Sequence, residues 1–125
     1  MTENEIAKII VNTAYNIHVG LGPGLLESVY EEILYFELTD QGLLVERQKA
    51  IPVLWKDTKM NIGFRADLIV ENKVIIELKS VECIAAVHPK QLLTYLKVTN
   101  LKLGLLINFN EKLIKDGITR IVNNL

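Results

Sequence analysis

Two alternating apolar runs, separated by three polar residues, constrain the fold of this chain more than any other feature. In the first, Ile62, Phe64, Ala66, Leu68 and Val70 share one face of an expected strand, leaving Gly63, Arg65, Asp67 and Ile69 on the other. In the second, Val74, Ile76 and Leu78 share a face while Ile75, Glu77 and Lys79 take the opposite one. Both rows lie on one side only if Val70 faces Val74, Leu68 faces Ile76 and Ala66 faces Leu78. That register demands a three-residue loop, Glu71-Asn72-Lys73, and sets Asp67 directly across from Glu77. A two-residue turn would mix the faces and bury a carboxylate among aliphatic side chains, so the core selects the first register.

Around this hairpin the pattern reads as helices and further strands. Ile6, Ile9, Ile10, Thr13, Ala14 and Ile17 recur at three and four, which predicts a helix over Asn4–Ile17 capped by Thr2 or Asn4. Gly20-Leu21-Gly22-Pro23-Gly24 breaks it. A second helix is expected from about Gly24 to Thr39, with Gly42 as its left-handed cap. Leu44 to Trp55 reads as a strand, with Pro52 marking an edge or a bulge, and Lys56 to Lys59 as the turn into Met60–Val70. A helix from His88 or Pro89 to Val98 and an unbroken apolar strand, Leu103 to Ile107, follow; such a run is typical of a central strand covered on both faces. Glu111 to Val122 is a short helix or an extended end piece. The expected order is α-α-β-β-β-α-β, an α/β class with a mixed sheet and flanking helices.

The hairpin also carries the chemistry. In the chosen register the Asp67 and Glu77 Cβ atoms are only about 5 Å apart, so two like charges repel unless one is protonated or a cation intervenes. Mg²⁺ suits such a pair, because it takes hard oxygen ligands and commonly uses one or two carboxylates together with substrate phosphates. Lys79 points the same way as Glu77 and is placed to neutralise developing charge or position a water. The alternative is a solvated ionic network in which Arg65 and Lys79 simply pair with Asp67 and Glu77.

Glu27 falls inside the wide apolar arc formed by Leu26, Val29, Tyr30, Ile33, Leu34, Phe36 and Leu38, where an unpaired carboxylate is costly. Either it caps its own helix or it reaches the hairpin site. Gln91 and Tyr95 lie one turn apart on the later helix; Gln91 is either a phosphate or water ligand beside Lys79 or an ordinary surface residue. His18 and His88 lack the companions of a zinc site. No Gly-Lys-Ser/Thr phosphate loop, Gly-x-Ser-x-Gly elbow or cysteine with an adjacent base occurs.

The chain has 125 residues, one domain's worth spanning 1–125, and is 50% hydrophobic, which excludes a disordered polymer. Its formal charge of -1 argues against a pure nucleic-acid-binding module, leaving any such contact to a local basic patch or bridging metal. With Cys83 as the only cysteine, no signal-like start and no spanning stretch, a cytoplasmic location away from the membrane is expected.

The residues also spell a known pattern. Gly24-Leu25-Leu26-Glu27-Ser28-Val29-Tyr30 resembles the signature of the GxxExxY protein family. The resemblance continues through Gly63-Phe64-Arg65-Ala66-Asp67, Ile76-Glu77-Leu78-Lys79, Gln91 to Lys97 and Gly104 to Asn110. That family is similar to the PD-(D/E)XK nucleases, whose core is a helix, three antiparallel strands, a helix and a further strand. The resemblance implies a restriction-endonuclease-like core. It makes Asp67 the strand aspartate and Glu77 with Lys79 the Glu-x-Lys pair. Glu27 becomes the acid of the preceding helix, and Gln91, with Tyr95, the contribution of the following one. Ala66 replaces the proline of the superfamily's name. The implied activity is Mg²⁺- or Mn²⁺-dependent phosphodiester hydrolysis of nucleic acid, DNA in the first instance, with Asp67, Glu77 and Glu27 holding metal. The alternative is a catalytically silent nuclease-like fold acting as an interaction or regulatory module, with Trp55, Phe109 or the first helix forming a homodimer or partner surface.

Overall fold

A computed structural model describes all residues, 1–125. The elements are α1 (Glu3–Leu21), α2 (Glu27–Asp40), β1 (Val45–Trp55), β2 (Thr58–Val70), β3 (Val74–Lys79), α3 (Val87–Thr99), β4 (Leu103–Asn108), α4 (Ile114–Gly117) and β5 (Ile118–Val122). One mixed sheet in the order β1-β2-β3-β4-β5 separates α1 and α2 on one face from α3 on the other. β3 and β4 run parallel, joined through α3, while the other neighbours are antiparallel. The expected order lacked the last two elements: the tail is both a helical turn and a strand, and β5 closes the edge beside β4. β4 is buried along its whole length, as its unbroken apolar run requires.

Thr2 caps α1 through a reciprocal capping box with Glu5, and the helix continues past Ile17 to Leu21. The buried stripe of α1, Ile6, Ile10, Ala14 and Ile17, packs with Tyr30, Leu34 and Leu38 of α2. The Gly22–Leu26 connection is held by Tyr30. Its hydroxyl donates to the Gly22 carbonyl at 2.7 Å and accepts from the Leu25 N–H at 3.2 Å, and its ring stacks on Phe109 at 4.4 Å. Gly22 and Gly24 adopt φ values of +72° and +103°, which only glycine takes without strain. Tyr30→Phe is expected to destabilise the fold by about 1–3 kcal/mol in urea titration, because it orphans the Gly22 carbonyl and the Leu25 N–H.

The apolar arc expected on α2 is displaced. Only Tyr30, Glu31, Leu34 and Leu38 are buried, whereas Leu26, Val29 and Phe36 face solvent. α2 begins at Glu27 rather than Gly24, so Glu27 sits exposed in the first turn and Glu31 is the acid that enters the interior. Phe109, considered for a partner surface, is fully buried.

The hairpin register appears as expected where it is continuous: Val70 pairs with Val74 and Leu68 with Ile76 across the loop Glu71–Lys73. Glu71 and Asn72 adopt left-handed φ values of 54° and 55° that make this reversal. Beyond Leu68 the expectation fails. The β2–β3 ladder stops there, so Ala66 does not pair with Leu78, nor Asp67 with Glu77. The faces also exchange: Leu68 and Val70 pack with α1 and α2, yet Phe64 and Ala66 join Ile69 on the α3 side. Ala66 and Ile69 are three positions apart, which a regular strand would put on opposite faces. The exchange centres on Asp67 and on Gln48 of β1, whose φ is +50° and which is missing from the β1–β2 ladder between the pairs Arg47–Leu68 and Lys49–Ala66. The break frees Asp67 from both ladders.

Candidate active site

Asp67 uses this freedom to cap the splayed strands. Its Oδ2 accepts the Leu78 N–H at 2.8 Å, replacing a ladder bond, and its Oδ1 accepts from the Gln48 amide at 3.3 Å. Gln48 donates through the same nitrogen to Glu31, which also pairs with Arg47 at 3.1 Å. A cavity of about 390 Å³ is lined by Glu27, Ser28, Glu31, Gln48, Asp67 and Leu78. Glu27 and Asp67 therefore open onto one cavity, with Glu27 exposed at its rim.

Glu77 lies at the end of β3, and its Oε1 is buried without a hydrogen-bond partner. Burial first, and then the charge of Asp67 beside it, push its carboxyl up from 4.5 to about 8, while Lys79 pulls the other way. Tyr95 of α3 closes the opposite side: it stacks on Phe64 at 3.8 Å, and its hydroxyl is raised by burial and by the Glu77 and Asp67 charges. Gln91 is exposed one turn before Tyr95 on the same helix.

The ionic-network alternative does not form. The ion pairs are Arg47–Glu31 and Lys49–Glu46, and neither involves Asp67, Glu77, Arg65 or Lys79. Arg65 instead donates to the Gln48 carbonyl at 3.0 Å, which steadies the left-handed turn in β1. Lys79 makes no side-chain hydrogen bond or ion pair, although its charge acts on Glu77.

The end of β3 is fixed from three sides. The Lys79 carbonyl accepts the Phe109 N–H at 2.9 Å, and the Ser80 hydroxyl donates to the Leu25 carbonyl at 2.6 Å. Asn108, fully buried, grips Val81 by accepting its N–H at 3.1 Å and donating to its carbonyl at 2.9 Å. Sequence reasoning missed Glu31, Gln48 and Asn108. Glu31 carried a signal, as an acid at the edge of the apolar arc of the second helix, and so did Asn108, as an amide closing an apolar strand.

The residues fit a divalent cation by charge: the buried Glu77 Oε1 has no hydrogen-bond partner, its carboxyl meets only Asp67, and no protein cation lies within ion-pair distance of either carboxylate. They do not make a protein-only cage, since no three His, Cys, Asp or Glu side chains gather as a metal-holding group. Two carboxylates with the remaining positions left to water and phosphate is the usual arrangement for Mg²⁺. No helix is long and apolar enough to cross a membrane. Comparison with curated proteins and with solved structures returns no match. The sequence profile of the PD-(D/E)XK nuclease superfamily, however, matches residues 4–121. A match over nearly the whole length, on a fold of this topology with an acid, an acid and a lysine at the splayed ends of β2 and β3, places the chain in the PD-(D/E)XK nuclease superfamily.

Proposed function

We propose that this protein hydrolyses phosphodiester bonds in nucleic acid, DNA in the first instance, using Mg²⁺ or Mn²⁺ held by Asp67 and Glu77. The supporting observation is the orphaned Glu77 oxygen beside Asp67 in a superfamily of nucleases. When bound, the ion would neutralise both carboxylates, polarise the scissile phosphate and lower the pKa of a water. Asp67 is preset for this role, because the Leu78 N–H and the Gln48 amide fix its carboxylate. Lys79, free of protein partners, supplies a charge-assisted donor where negative charge grows on the phosphoryl oxygens. Glu27, at the cavity rim, orients water, and Gln91 with the protonated Tyr95 hydroxyl holds a phosphate oxygen from the α3 side. The Gly24-x-x-Glu27-x-x-Tyr30 signature supports placement in the GxxExxY branch and, with the lone Cys83, work in the reducing cytoplasm.

Incubation of supercoiled, linear and single-stranded DNA with the protein is expected to give cleavage in 5 mM Mg²⁺ or Mn²⁺, and none in EDTA. Equal cleavage in EDTA would sink the metal-dependent reading. The lack of a three-carboxylate group favours one second reading, a silent nuclease-like fold that acts through protein contacts. It is distinguished by intact folding with no cleavage under any divalent metal.

A further inference from the structure

The β1–β2 hairpin extends beyond the layers that cover the rest of the sheet. Beyond the half-buried Val53, every residue from Leu54 to Ile62 is exposed: Leu54 is 60% exposed, Trp55 65% and Ile62 82%. An isolated two-stranded ribbon with large apolar side chains in water gains little stability from them, so its shape is maintained by local devices. Trp55 pairs with Thr58 across Lys56 and Asp57, whose φ values of 51° and 63° form a tight left-handed turn. At the base, the register shifts between Pro52 and Leu54, and Gly63 lies so close that any Cβ there would collide with the Ile51 carbonyl. This irregularity opens a cleft of about 410 Å³ lined by residues that include Pro52, Lys59, Asn61, Phe64 and Arg65.

The charge of this ribbon is unlike that of the chain. From residue 49 to 65 it carries Lys49, Lys56, Lys59 and Arg65 against one carboxylate, Asp57, on a molecule whose total is -1. Lys56, Lys59 and Arg65 have no ion-pair partner. The ribbon is also continuous with the candidate site: Arg65 bonds the Gln48 carbonyl, Gln48 bonds Asp67, and Phe64 stacks on Tyr95. Lys59 to Asp67 spans roughly 25 Å of strand.

We propose that this ribbon is a nucleic-acid-holding arm that grips an unpaired strand. Lys56, Lys59 and Arg65 contact phosphates and Trp55 stacks on a base; the inference rests on the nuclease reading of the adjoining site. An exposed indole beside unpaired cations is the combination that binds single strands without sequence preference. A second copy of the chain is disfavoured as occupant, because the edge strand β1 is interrupted by Pro52, which cannot donate to a new ladder, and carries the basic Arg47 and Lys49.

Trp55 is the only tryptophan, so its fluorescence reports the arm directly. Titrating the wild-type protein in EDTA with a dT₁₂ oligonucleotide is expected to quench its emission. Affinity should weaken by about 20-fold between 50 and 200 mM salt if three phosphates are neutralised. Poly-glutamate is expected to leave the emission unchanged. By anisotropy of labelled dT₁₂, Trp55→Leu is expected to weaken binding roughly 5- to 100-fold. The double variant Lys56→Glu/Lys59→Glu should weaken it at least tenfold with an unchanged melting temperature.

Binding to dT₁₂ with no quench, quenching by poly-glutamate as strong as by dT₁₂, or emission that changes with protein concentration alone overturns the proposal. The last would mark a self-association surface. Quenching without cleavage on metal addition supports the arm and defeats the nuclease reading. Cleavage unaffected by the double variant does the reverse.

Discussion

Replacing Lys79 by methionine is expected to lower metal-dependent cleavage by about 10²–10³-fold while leaving the fold intact, the usual consequence of deleting one donor to developing phosphoryl charge. The lysine side chain makes no hydrogen bond or ion pair, so its loss orphans nothing in the protein. Its backbone stays in the parallel ladder opposite Asn108, and methionine retains most of the apolar stem. Asp67→Asn should reduce cleavage further, by about 10³-fold or more, through loss of a carboxylate ligand. Its amide also meets the Gln48 donor and the Leu78 N–H less well than a carboxylate does, so a modest loss of stability accompanies it. Single-turnover assays at saturating Mn²⁺ separate these effects from altered substrate binding. Undiminished cleavage by Lys79→Met would remove the lysine from the chemistry.

The second large effect is on stability. The Glu77 carboxyl titrates near 8 in the folded chain and near 4.5 when unfolded, so between those values the native state binds more protons than the unfolded state. Without metal, stability is therefore greatest below about pH 4.5 as far as this group is concerned, and falls as pH rises to about 8, by on the order of 5 kcal/mol. Glu77→Gln is expected to flatten that fall in urea titrations at pH 5 and 8. Divalent metal is expected to restore wild-type stability at pH 8 but not at pH 5, where the carboxyl keeps its proton. A wild-type slope equal to that of Glu77→Gln would show that this carboxyl is not strained.

Much of the fold was legible because its elements follow simple periods. Ile6 to Ile17 marks α1, the loop Glu71–Lys73 sets the β2–β3 register near the turn, and Leu103–Ile107 announces the covered central strand. The candidate site was legible as residue types: Glu77 and Lys79 share a face of β3, and the charges of Asp67 and Lys79 both act on the Glu77 carboxyl. Their geometry was not. A strict period of two cannot foresee a left-handed Gln48, and it is the break at Gln48 and Asp67 that exchanges the faces of β2 and turns Asp67 from a ladder residue into a cap. On α2 the helical wheel was misled by the exposed Leu26, Val29 and Phe36. Once the helix starts at Glu27, the inward acid is Glu31, held by an arginine and a glutamine from β1 that no local pattern connects to it. β5 escaped because the five residues Ile118 to Val122 show no alternation of apolar and polar side chains.

Calorimetric titration of Mn²⁺ into the protein at pH 8 probes the shared cation of Asp67 and Glu77 without needing a substrate. The expected result is one ion per chain in wild type, proton release on binding, and no measurable binding in Asp67→Asn or Glu77→Gln. Absence of binding to wild type at millimolar metal, or equal binding by both variants, would contradict it.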